Sequence, residues 1–470
     1  MASDGGGDGG GKAGSSSWVV EIQNKIQQVD LKAEENLWSK QSIYRVPSCI
    51  KELNPKAYKP QVVSFGPHHH GEPQVVPMEE HKQRALMHFL NRTTDKSIHY
   101  FLGELEKVED ELRASYKALD QRWDNKDVFL QMMLVDGCFM LEILHMATAG
   151  RADKIGDHYC KSDPIFSIHG MLYTLPYIKR DMLMLENQLP LLVLETLDVA
   201  PLSSGTSRAK EITKLVLKFF DSSSDHQVQV MTAVGLHPLN LYRQSLLGGE
   251  AARSPPTKGQ EDSSGMVRSA MELNEAGVRF KKSKTTSLHD ISFHNGVLSL
   301  PVIVVDDSTE FMFLNLMAFE RLHTNAGNEV TAYVFFMDNI IDSAKDVSLL
   351  HSKGIIQNAL GSDKAVAKLF NTLSKDVVLD PESSLDDVHR SVHNYCSKSW
   401  NMWRANLIHT YFRSPWAFLS LAAAIFLIIL TVGQTFYSIY QYYKPNTGES
   451  SASSSSPPTL FAPPPALSPQ

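Results

Sequence analysis

The chain has 470 residues, 45 Lys and Arg against 52 Asp and Glu, and 43% hydrophobic composition. That is enough chain for two or three domains' worth of core, and too little basic excess for a protein that covers nucleic-acid backbone, so no nucleic-acid partner is expected. Four widely spaced cysteines (Cys49, Cys138, Cys160, Cys396) with no C-x-x-C exclude a disulfide scaffold and a zinc finger and fit a reducing compartment.

Residues 1–17 are Gly/Ser-rich, cannot pack a core and are expected to be disordered. They hold no basic stretch followed by an apolar one, so no signal peptide is expected, and Ala2 excludes myristoylation. Residues 18–247 form a lobe of helical pattern. Met78–Arg92 opens with two glutamates near the positive helix end and sets Leu86, Phe89 and Leu90 on one face. Tyr100–Asp120 carries Leu102, Leu105, Val108, Leu112 and Tyr116 at spacings of three and four, the mark of one amphipathic helix. Phe129–Met146 is long and apolar, but Asp136 and Glu142 make it too costly as a membrane span, so it reads as a buried helix. Those carboxylates need partners, for which Arg84, Arg113 and Arg180 are candidates. Ile178–Leu197 reads as two helices broken at Asn187-Gln188-Leu189-Pro190, with Asn187 as a cap.

Residues 248–265 crowd Pro, Ser and charge without apolar periodicity and are expected to be a disordered linker. The second lobe, 266–413, changes period: Asn295-Gly296 between apolar alternations predicts a hairpin, and with Val278-Arg279-Phe280 a sheet of two or three strands. Helices follow at Thr309–Arg321, Thr331–Asp342, Val347–Lys353 and Ser362–Leu373, the last with Ser362 as N-cap. Leu385 to Tyr411 keeps one apolar stripe, which predicts a helix feeding towards Ser414-Pro415. The fold class expected is therefore mainly α, an α+β body with a small antiparallel hairpin sheet, followed by one transmembrane helix.

That helix is read at Trp416–Tyr437, inside a stretch from Ser414 to Tyr443 with no charged residue. Twenty-two helical residues rise about 33 Å against a hydrocarbon core of about 30 Å. Trp400, Trp403 and Trp416 on one side and Tyr437, Tyr440, Tyr442 and Tyr443 on the other suit the two headgroup levels. Lys398, Arg404 and Arg413 precede the span and only Lys444 follows, so the positive-inside rule places the N-terminal body in the cytosol. Residues 444–470 are Ser/Pro-rich and expected to be disordered.

For chemistry, Gly66-Pro67-His68-His69-His70-Gly71 with Glu72, Glu79, Glu80 and His81 is the most tempting metal candidate. Adjacent imidazoles in a Gly/Pro loop cannot all face one ion, so His69, His70 and His81 stay weak candidates beside the reading of a turn whose rings satisfy backbone. Cys138 with His145 seven residues on could be imagined as nucleophile and base, but a thiol in an apolar helix reads as core. There is no P-loop, no G-x-G-x-x-G, no G-x-S-x-G and no H-E-x-x-H, so no cofactor and no catalytic residue is expected.

Ile43-Tyr44-Arg45-Val46-Pro47, Ala57 to Pro67, Met78-Glu79-Glu80-His81-Lys82, Asp136-Gly137-Cys138-Phe139, Asp181 to Pro190, Asn315 to Glu320, Leu360 to Asp363 and Trp400 to Ala405 follow one another in a known order. Over roughly Ile43–Tyr443 the chain resembles the plant-specific family catalogued as domain of unknown function 247, although His68 stands where that family usually has an aromatic residue. The resemblance implies a single-span plant membrane protein without established enzymatic activity. Some grass members are implicated as pollen-side determinants of self-incompatibility. Three functions are thus open: a membrane-anchored interaction or signalling protein with a protein partner, at the plasma membrane or endomembranes; a membrane-tethered hydrolase using the His68–His70/His81 region with Glu79 or Glu80; and a self-incompatibility-type recognition protein.

Overall fold

The computed structural model describes residues 17–27, 30–52, 54–93, 95–148, 159–200, 205–220, 235–248, 268–375, 385–407 and 415–443. Of the stretches expected to be disordered (1–17, 248–265 and 444–470), residues 1–16, 249–265 and 444–470 lie outside them, as does Arg413, whereas Ser17 is helical and Gly248 is described. The chain divides into two units, a body ending at Met402 and a C-terminal unit starting at Trp403.

The body is mostly helical with a few short strands. It opens with α1 (Ser17–Gln27), α2 (Leu31–Lys40) and the single turn α3 (Ser48–Lys51). α4 (Val76–Arg92), α5 (Ile98–Lys107), α6 (Glu109–Ala114) and α7 (Lys126–Thr148) follow, then α8 (Ile168–Tyr173), α9 (Leu175–Met182), α10 (Leu191–Leu197), α11 (Arg208–Phe220) and α12 (Pro238–Leu246). α7 is the centre of this half: α4, α5, α10 and α11 pack around it, and every residue from Met132 to Leu144 is buried. A helix apolar on all sides is stable only inside such a ring. Gly137 permits the closest approach, since a Cβ there would lie 2.6 Å from Leu197 and 2.7 Å from Val193 on α10.

The single helix expected over Tyr100–Asp120 is instead α5 and α6, separated at Val108 (φ −114°, ψ 8°). Glu109, Asp110 and Glu111 crowd the start of α6, where three carboxylates favour a new helix N-terminus, and the apolar stripe continues across the break. Beyond α6 the chain turns to meet its own start. Ile43 N–H donates to Ser115 O at 2.9 Å and Lys117 N–H to Ile43 O at 3.0 Å.

After α13 (Ala270–Glu275) come β1 (Arg279–Lys282), β2 (Ser292–His294), β3 (Val297–Leu300) and β4 (Ile303–Val305). β2 and β3 form the expected antiparallel hairpin, with Phe293 opposite Leu298 and with Asn295 (φ 50°) and Gly296 (φ 74°) in the left-handed conformations of a tight turn. β1 is the third strand and runs parallel to β3, giving the order β1-β3-β2. α14 (Thr309–Leu322), α15 (Glu329–Ile340), α16 (Ala344–Ser352) and α17 (Asp363–Leu373) stand close to their expected places, and β5 (Ile356–Asn358) pairs parallel with β4. Ser362 caps α17 by accepting the Ala365 N–H, and Ser343 with Asp346 forms a capping box on α16.

The stripe from Leu385 is carried by two helices, α18 (Asp386–Cys396) and α19 (Ser399–Leu407), broken at Ser397-Lys398. Asn401 turns back to donate to Tyr395 O at 2.8 Å, which fixes that corner. In the C-terminal unit, α20 (Pro415–Tyr443) has Pro415 at its first position, where a missing N–H costs nothing. Its stretch Phe418–Tyr443 is long and apolar enough to cross a membrane, and none of it is buried by protein. α7 also passes that test of length and composition, but it is mostly buried in the body.

Candidate functional site

The polar residues at the heart of the body converge on one extended segment, residues 61–66. Asp181, at the end of α9, accepts the N–H groups of Gln61, Val62 and Val63 at 2.7–3.0 Å. Asn187 follows: its Oδ1 accepts Phe65 N–H at 2.8 Å, and its Nδ2 donates to Val63 O at 3.0 Å and Asp181 O at 2.9 Å. Asp136 from α7 accepts Gly66 N–H at 2.8 Å. Gly66 (φ 71°) is required there, because a Cβ would lie 2.6 Å from Gln188 O and 2.8 Å from the Tyr116 hydroxyl.

Residues 183–190 are a loop inside the core, so their backbone needs partners other than water. Side chains supply them. Gln188 donates to Met182 O and Met184 O, both at 2.6 Å, and accepts Leu239 N–H at 3.0 Å. Asn315 on α14 accepts Leu185 N–H at 3.0 Å and donates to Ala57 O at 2.9 Å. Tyr116 donates to Gln188 O at 3.0 Å. Asn187 is therefore no helix cap; Pro190 holds the N-cap position of α10.

Buried charge is paired, though not as expected. Asp136 meets Lys82 at 2.7 Å, and both side chains are essentially unexposed. Burial pushes the Asp136 carboxyl above its usual range, against the pull of Lys82. Glu142 pairs with Arg92 and accepts from Tyr159 at 2.7 Å. Of the arginines expected for these roles, Arg84 binds Asp163, Arg113 binds Glu109, and Arg180 lies beside Asp181. Lys82 had a legible signal: it stands with Met78, Ala85, Leu86 and Phe89 on the buried face of α4, a cation on an apolar stripe. Lys82 Nζ also reaches Ser64 Oγ at 3.2 Å, the pairing of a hydroxyl with an amine base. Both residues are fully buried and the amine is committed to Asp136 and Glu79.

The histidine triplet fans apart. The His68 ring lies edge-on to Tyr116 and that of His70 edge-on to Trp123. Arg122 braces the loop by donating to Pro67 O and His70 O at 2.9 and 3.0 Å. His69 sits between carboxylates, Nδ1 2.7 Å from Glu72 and Nε2 3.3 Å from Glu186. Burial alone would raise Glu186, but His69 and Lys51 outweigh it and hold the carboxyl below its usual range. Glu186 also accepts Val46 N–H. His81 lies on α4, its Nδ1 buried without a hydrogen-bond partner. Among the described residues no group of three His, Cys, Asp or Glu side chains could hold a metal ion. Burial pushes the Cys138 thiol well above its ordinary value. Trp416 and Tyr437 are exposed on α20, and Lys398 and Arg404 are exposed.

The residues of this spine are those of the sequence motifs, and the comparison with known proteins decides what they belong to. A family described as a plant protein of unknown function, DUF247, matches residues 43–430. The chain belongs to the DUF247 family. The UPF0481 protein At3g47200 of Arabidopsis thaliana is 33% identical over 90% of this chain and 90% of its own length. The putative UPF0481 protein At3g02645 of the same plant is 24% identical over 91% of this chain and 95% of its own length. No solved structure matches significantly. In this DUF247 chain Asp136, Asp181, Asn187, Gln188 and Asn315 hold backbone in place.

Proposed function

We propose that this DUF247 protein is a membrane-anchored interaction module: α20 crosses the bilayer, and the helical body stands on the cytosolic side and binds a protein partner. The observation that carries this reading is α20 itself, an uncharged helix of 29 residues with its apolar side chains bare. The commitment of the polar motif residues to backbone supports a scaffold whose specificity lies on its surface. The basic residues Lys398, Arg404 and Arg413 ahead of the helix, with Lys444 alone after it, support a cytosolic body.

Protease treatment of sealed plant microsomes tests the orientation: the body is digested without detergent. Asn91 provides an internal check, because it is exposed within an Asn-Arg-Thr sequon. A glycan at Asn91, or a protected body, overturns the cytosolic placement.

A further inference from the structure

β1 is an edge strand that carries an unusual run of charge. Arg279, Lys281, Lys282 and the following Lys284 are all exposed, and no Asp or Glu occurs between Glu275 and Asp290. Asp290 is itself engaged, accepting the Thr285 N–H and hydroxyl at 3.0 and 2.8 Å. A fifth cation adjoins them. The Lys282 stem covers Gly354, where an added Cβ would meet Lys282 Cε at 2.5 Å, and exposed Lys353 is the preceding residue.

The position of this strand gives the charge a target. β1 lies two strand spacings, roughly 10 Å, from β2 in the order β1-β3-β2. β2 is the strand on which α18 packs: Phe293 meets Tyr395 edge-on with ring centres 5.5 Å apart, and Gly296 abuts the Tyr395 hydroxyl. Tyr395 is thus seven residues before Met402, where the body ends, and Pro415 opens α20 thirteen residues later. Thirteen residues reach at most about 45 Å. The basic edge therefore belongs to the part of the body that holds α18 and leads to its last residues, where Lys398 is also exposed.

We infer that Arg279, Lys281, Lys282, Lys284 and Lys353 form a docking surface for the anionic headgroups of the leaflet that the span enters. Clustered cations beside a membrane anchor are drawn to a negative leaflet, and the attraction fades within a Debye length. The inference rests on the reading of α20 as a span. Lysines also guard a strand edge against pairing with another chain, a role that needs no lipid.

Acylation footprinting of the full chain in lipid nanodiscs separates these possibilities. Discs of phosphatidylcholine alone are compared with discs that also contain phosphatidylserine, with Lys161 and Lys210 as exposed references. Phosphatidylserine is expected to slow acylation of Lys281, Lys282 and Lys284 by at least about threefold, with recovery in high salt and no change at the references. Equal rates in the two lipids overturn the docking surface, as does protection by added RNA in neutral discs without any from phosphatidylserine. Failure of the chain to remain with neutral discs would instead overturn the span, so the two failures are distinct.

Discussion

His237 stands at the N-cap of α12 with its Nδ1 accepting the Asn240 N–H at 3.3 Å and its Nε2 within 3.2 Å of the Ser42 carbonyl. That pattern fixes the neutral tautomer with hydrogen on Nε2, and a second proton on Nδ1 would point a donor at a donor. Burial depresses the His237 pKa to about 3, and burial likewise holds His68 and His389 near about 4. Each group is lower in the folded state than the ordinary value of about 6.5, so below that pH the unfolded chain binds more protons. Their contribution is complete above pH 6.5 and lost as pH falls, down to about 4 for His68 and His389 and to about 3 for His237, each by about 1.4 kcal/mol per pH unit within its window. Buried carboxylates with raised pKa, Asp136 and Asp181 among them, act with the opposite sign. Replacing His237→Gln keeps a donor for Ser42 O and isolates its share. Denaturation at pH 7 and pH 5 should show a smaller loss for the variant than for the natural chain; an equal loss excludes His237.

Between α4 and α7 the decisive contact is Lys82 with Asp136, both closed to solvent. Lys82→Met leaves Asp136 with only its Gly66 N–H bond and should destabilise the body by about 3–5 kcal/mol, because one partner of a buried pair is left uncompensated. Lys82→Met with Asp136→Asn should recover much of that loss in denaturant titrations, since the amide still accepts from Gly66. No recovery means that the two residues do not act as a pair. At this scale the sequence was legible wherever contact is local. The α4, α7, α14 and α17 patterns, the Asn295-Gly296 turn and the Ser362 cap are each set by neighbours a few residues apart. It was opaque wherever pairing spans the chain. The parallel match of Ile303 with Ile356 leaves no periodic trace, and no spacing reveals that Asp136 meets Lys82 rather than Arg84. The Val108 break was hidden because the apolar stripe runs through it, and Asn187 looked like a cap because its true partners, Phe65 and Val63, lie more than a hundred residues away.

For the molecule as a whole, the placement of α20 in a bilayer makes a graded prediction along its length. The helix has 29 residues, about 43 Å, whereas about 20 residues cross a hydrocarbon core of about 30 Å. On the proposed reading of α20 as a span, the surplus is placed at the tyrosine end, with the hydrocarbon stretch from near Trp416 to near Tyr437 and Tyr440 to Tyr443 continuing as helix at the headgroup level. Leu427 is then close to the midplane and Tyr443 close to water. An arginine at the midplane costs about 2.5–3.5 kcal/mol on insertion scales, and an aspartate next to it costs a similar amount. Leu427→Arg with Ile428→Asp should therefore shift the chain from carbonate-resistant membrane towards the soluble or aggregated fraction, while Tyr443→Arg should leave it in the membrane. Equal retention of the two variants would mean that α20 does not cross a bilayer at this depth, and loss of the Tyr443→Arg chain would move the hydrocarbon boundary past the tyrosines.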